Sequence, residues 1–105
     1  MAQGRPTPEI VRVRSEILVA LRMIYPAALR SEQLLRSLLS VFPKLEWQQL
    51  KRELFYLLEK GHLQRVIAGS ETDQRLTPWR KRWFRITATG KEVAENMLDD
   101  GGMDS

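Results

Sequence analysis

No cysteine occurs anywhere in the chain, which excludes a disulfide framework and any thiolate metal site. The single histidine, His62, stands without the partners that a metal centre or a nucleophilic dyad requires. No apolar run approaches the roughly 18 residues of a membrane span, and the opening MAQGRPTPE lacks a signal-peptide core. The expected location is therefore the cytoplasm, and no membrane partner is expected. Glycine-rich phosphate loops and nucleophile elbows are missing too. Carboxylate pairs do occur, Glu92 with Glu95 and Asp99 with Asp100, but at the fraying end of the chain, where nothing excludes water. These absences argue against an enzyme and call for no cofactor.

What is present is cationic charge, unevenly spread. The 105 residues suit one domain with one small core. Residues 1–86 carry 16 Lys and Arg against 8 Asp and Glu. Residues 87–105 carry only Lys91 against Glu92, Glu95, Asp99, Asp100 and Asp104. A basic body attracts phosphate, whereas an acidic tail is usually solvated.

Apolar spacing divides the chain. Residues 1–6 read as a loose arm. Thr7 is a hydroxyl cap, Pro8 suits the first helical position, and Glu9 suits the helix dipole. Ile10, Val13, Ile17, Leu21 and Ile24, with Leu18 beside them, form one stripe that Pro26 closes. Ser31 is the expected cap of a second helix, with Leu34, Leu35, Leu38 and Leu39 on its buried side. A third helix begins near Leu45 or Glu46, and Trp47, Leu50, Leu54, Leu57 and Leu58 share one arc of it. Gln48, Gln49, Arg52, Tyr56 and Glu59 fall on the outward arc. Gly61 is placed to leave this helix in a left-handed conformation.

Leu63, Val66 and Ile67 are strand-prone, and residues 68–78 form a polar, turn-rich connection long for a hairpin. The segment 83–87 returns as a second strand. Its β-branched and aromatic content argues against an all-helical bundle. A closing helix spans roughly residues 89–98, and the acidic tail 99–105 is expected to be disordered. The spacing thus predicts a mainly α domain over residues 7–98 with a small β-hairpin (α+β). It has three helices, a two-stranded hairpin and a fourth, C-terminal helix.

Two segments carry a resemblance. LKRELFYLLEKGHLQR is similar to the recognition-helix ending of bacterial winged helix-turn-helix regulators. FRITATG, with Thr87 three residues before Gly90, resembles their wing-to-last-helix junction, where the threonine caps the helix and the glycine permits close packing. Length, ILVALRMIYP, SEQLLRSLL and TATGKEVAENM look closest to small winged-helix proteins of Mu-like phages and prophages, often labelled ArsR-like. The chain departs from those in a longer, more basic and aromatic wing, and it lacks the cysteines of a metal-sensing repressor.

The resemblance implies double-stranded DNA binding and transcriptional regulation, with the third helix in the major groove and the wing on the phosphates or in the minor groove. On that helix Gln48 and Gln49 suit adenine, and Arg52 suits guanine or a phosphate. Lys44, Lys51 and Tyr56 flank them. Glu46, Glu53 and Glu59 weaken this face electrostatically. In the wing, Arg75, Arg80, Lys81, Arg82 and Arg85 lie within eleven residues. Phe84 and Ile86 share a strand face and are expected in the core, with Trp79 the more exposed aromatic. Val93, Ala94, Met97 and Leu98 either close the monomer core or pair two copies as a homodimer. The alternative function is a winged-helix protein-interaction module, its docking surface centred on Trp79 and Tyr56.

Overall fold

A computed structural model describes residues 7–67 and 77–104, with side chains as far as Met97. The order is α1 (Pro8–Met23), β1 (Leu29–Arg30), α2 (Ser31–Leu38), α3 (Trp47–Glu59), β2 (Leu63–Val66), a 3-10 turn (Trp79–Lys81), β3 (Trp83–Ile86) and α4 (Ala88–Asp104). The N-terminal arm, and residues 68–76 with Arg75 among them, lie outside the described residues.

α1 starts as its sequence dictates. Thr7 is extended, and its Oγ1 accepts a hydrogen bond from the Ile10 N–H at 3.2 Å, satisfying one of the donors that a helix start leaves open. Val13, Ile17, Leu18 and Leu21 are buried along one side.

α2 starts differently from expectation. Its cap is Arg30, whose N–H donates to the Gln33 side chain at 2.8 Å, and Ser31 is already helical. Ser31 is buried instead, with its N–H donating to the Arg82 carbonyl at 3.0 Å. The serine serves the sheet rather than the helix end. Leu34 and Leu38 reach the core as expected, while Leu39 stays exposed.

α3 buries Leu50, Leu54 and Leu57. It ends in a Schellman arrangement: the His62 N–H donates to the Leu57 carbonyl and the Gly61 N–H to that of Leu58, both at 3.0 Å. Gly61 has φ of 78°, the left-handed conformation that such an ending requires.

The sheet has three strands rather than two. β3 is central, antiparallel to both β1 and β2, in the order β1-β3-β2. Leu29 pairs with Phe84, and Leu63 with Ile86. Two residues are too short to show any periodicity, so β1 leaves no trace in the sequence pattern. Phe84 and Ile86 are fully buried, as their shared parity requires.

Backbone atoms and one hydroxyl join the sheet to α4. The Thr87 N–H donates to the His62 carbonyl at 3.0 Å, and the Thr87 hydroxyl donates to the Gly61 carbonyl at 2.7 Å. The same Oγ1 accepts the Gly90 N–H at 3.0 Å and so caps α4. A Cβ on Gly90 would run into the His62 carbonyl, which is why glycine stands there. The helical backbone then continues to Asp104, past residue 98 where the sequence pattern stops. α4 lies on α1, with Ala94 buried between them and Glu95 bonded to Lys91 at 3.0 Å and near Arg22 at 3.6 Å. The hydrogen bond from Lys91, reinforced by the charges of Lys91 and Arg22, lowers the Glu95 pKa.

The two glycines should therefore differ. Gly90→Ala forces backbone apart and should cost about 2–3 kcal/mol. Gly61→Ala meets open space and only the left-handed strain, about 1–2 kcal/mol. Urea unfolding of both variants beside the wild type checks the order.

Candidate nucleic-acid interface

The outer side of α3 opposes Leu50, Leu54 and Leu57, and it is built from residues one turn apart. Gln48, Lys51, Arg52 and Phe55 line one shallow open cleft along it. Gln48 and Arg52 are exposed, as the helical projection expects, and Lys44 stands exposed just before the helix. Phe55 is not among the residues that the sequence pattern picks out, yet it is 52% exposed on this surface. About 100° per residue places it between Lys51 and Gln48, so the same arithmetic contains it.

Gln49 and Tyr56 lie toward α1. Tyr56 is half-buried, with the Arg14 guanidinium 3.5 Å from its ring centre and Lys60 at 5.7 Å. Beside it, the Arg14 Nε donates to Glu53 Oε1 at 2.6 Å. Glu53 is 1% exposed, so its charge faces inward rather than adding to the outer surface. Its Oε2 has no hydrogen bond, although the Arg52 Nε comes within 3.6 Å. Arg14 thus removes one of the three carboxylates expected to oppose phosphate, leaving Glu46 and Glu59 exposed.

The basic segment before β3 folds onto the helices. Arg80 and Lys81 belong to the 3-10 turn, with Arg80 5.4 Å from the Trp47 ring centre of α3 and the Lys81 Nζ 3.4 Å from Glu32 of α2. Arg82 donates through Nε to the Thr77 carbonyl at 3.0 Å and lies 4.8 Å from the Trp79 ring centre. Arg85, on the β3 face opposite Phe84, donates to the Gln64 side chain at 3.0 Å. The structure thus brings Gln48, Lys51, Arg52, Arg80 and Lys81 around one end of the domain. Arg85 lies on the sheet.

Trp79 corrects an expectation. It is half-buried, stacked on Phe84 at 5.8 Å between ring centres and 25° between planes. Its other neighbours are Phe55 at 6.4 Å and the Lys51 Nζ at 5.5 Å. Phe55 and Lys51 stand more than 20 residues upstream of Trp79, so those contacts leave no local signal. Among the described residues no group of three His, Cys, Asp or Glu side chains could hold a metal.

Solved structures supply the comparison. ZitR from Lactococcus lactis, as a mutant in apo form, superposes with a TM-score of 0.65 at 14% identity over 91% of this chain. A transcriptional regulator from Clostridium thermocellum gives 0.67 at 12% identity, covering 95% of this chain and 91% of its own. A mutant MarR from E. coli complexed with operator DNA gives 0.61 at 20% identity over 87% of this chain. The chain has a winged-helix fold. It spans 61% of the ZitR chain and 55% of that MarR chain. No protein-family model and no curated protein matches it. In winged-helix terms β2 and β3 frame the wing, and α3 is the second helix of the helix-turn-helix.

Arg14→Met should leave the buried Glu53 carboxylate without its hydrogen-bonded countercharge, with only the longer contact to exposed Arg52, at a cost of about 3 kcal/mol. Replacing Glu53 by leucine as well should return most of that loss. Urea midpoints of the single and double variants measure both.

Proposed function

We propose that this winged-helix protein is a double-stranded DNA-binding transcriptional regulator, not an enzyme. α3 lies in the major groove, and the basic segment before β3 meets the phosphate backbone. One observation carries the reading. Hydrogen-bonding and cationic side chains from α3 (Gln48, Lys51, Arg52) and from the 3-10 turn (Arg80, Lys81) converge on one end of the fold. The inward pairing of Glu53 leaves that end less acidic than its sequence implies. MarR in complex with operator DNA supports the assignment by analogy of fold. Lys44 suits a phosphate contact, and Gln48 and Arg52 suit base edges. Gln49, Tyr56, Arg75, Arg82 and Arg85 complete the set of candidate contacts.

The protein works as a homodimer in this reading. Val11 of α1 and Met97 of α4 are exposed apolar residues, and with half-buried Val93 they border a cleft that α3 also lines through Tyr56 and Leu57. A two-fold protein requires a two-fold symmetric operator. No helix among the described residues is long and apolar enough to cross a membrane, and a cytoplasmic regulator needs none. The likeness to Mu-like phage proteins rests on the sequence segments alone.

Fluorescence anisotropy of labelled duplex DNA across a salt series tests the proposal. Binding should weaken steeply with salt through counterion release, and the Arg80→Ala, Lys81→Ala double variant should lower the log–log slope by about 2. Arg82 is left intact because its side chain braces Trp79. Absence of duplex binding at low salt sinks the proposal in favour of a protein-docking module. Met97→Glu should shift the sedimentation of the protein toward monomer, and an unchanged dimer would place the interface elsewhere.

A further inference from the structure

Phe55 is an apolar side chain at the C-terminal end of a polar stripe on α3, one turn before exposed Glu59. It lies opposite the buried leucines of α3, in one cleft with Gln48, Lys51 and Arg52. The spacing i, i+3, i+4, i+7 makes these four a single stripe along the helix. The ring is braced from within: Phe55 leans on Trp79 at 6.4 Å and 41°, and Trp79 stacks on the fully buried Phe84. An aromatic held this way has little freedom left to lose on binding.

The occupant of such a stripe must offer an apolar group flanked by hydrogen-bonding edges and, beyond them, negative charge. A duplex major groove offers this combination. Its one apolar feature among the unmodified bases is the thymine 5-methyl group, set among acceptors and donors and bounded by phosphates. We infer that Phe55 is a specificity-determining residue that packs on a thymine methyl, while Gln48 and Arg52 hydrogen-bond neighbouring base edges. The inference rests on the duplex-DNA reading and adds to it the base feature that α3 selects.

The test starts by selecting bound duplexes from a randomised pool with the full chain. Each thymine of the selected site is then replaced by deoxyuridine, which removes the methyl and keeps every hydrogen-bonding edge. For the wild type, at least one replacement should weaken binding about fourfold, the worth of one buried methyl. With Phe55→Ala, thymine and uracil duplexes should bind alike, and Phe55→Leu should retain part of the difference. The ratio is taken within each variant, so a general loss of affinity or of folded protein cancels. A wild type indifferent to every uracil, a selected site without thymine, or a Phe55→Ala chain that keeps the full ratio would overturn the contact while leaving DNA binding intact. Failure to select any duplex would overturn the DNA reading itself, and the contact with it.

Discussion

Phe84 and Ile86 occupy one parity of a four-residue strand that is paired on both sides. A slip of one residue would turn both to solvent and bring Trp83 and Arg85 inward, putting a cation and a larger ring where two core side chains fit. Register is therefore pinned by burial, and much of the candidate interface follows from it. With Phe84 fixed, Trp79 has a ring to stack on, and the 3-10 turn that carries it lies against α2 and α3. Arg80 and Lys81 are delivered to Trp47 and Glu32 by that packing. The placement of the cations is thus a consequence of the hydrophobic core.

α3 answers to two demands at once. Its inner side must fill the core, and under the proposed function its outer side should carry few anions. Glu53 falls between them, and α1 resolves the conflict by supplying Arg14, which neutralises the carboxylate and also covers the Tyr56 ring. The desolvation of Glu53 is offset by a short charge-assisted hydrogen bond to one oxygen, while the other is left without one. One cation from a neighbouring helix therefore both ties α3 to α1 and, with Arg52 at 3.6 Å, balances the charge of Glu53.

Features fixed by neighbours along the chain are legible in the sequence itself. The Thr7 cap, the α1 stripe, the helix-ending Gly61 and the Thr87 cap on the Gly90 N–H all depend on residues within a few positions of one another. The features that differ from expectation are non-local. Ser31 looks like a cap until Arg82, 51 residues on, is found accepting its hydrogen bonds. Trp79 looks exposed until Phe55 and Lys51 of α3 are found against it. Glu53 looks like a surface charge until Arg14, 39 residues earlier, reaches it. Phe55 escapes notice for another reason: the helical projection places it outward, but hydrophobic patterning draws attention to apolar residues mainly where they are buried.

The junction of Thr87 and Gly90 with Gly61 and His62 holds α4 to the end of α3 through backbone atoms and one hydroxyl. Side-chain contacts can absorb a small displacement by changing rotamer, but packed backbone has no such slack. A tilt of α4 would therefore be passed on to the C-terminal end of α3 instead of being damped. The two helices are joined there as rigidly as two turns of one bent rod, at a glycine that leaves no room for a methyl group.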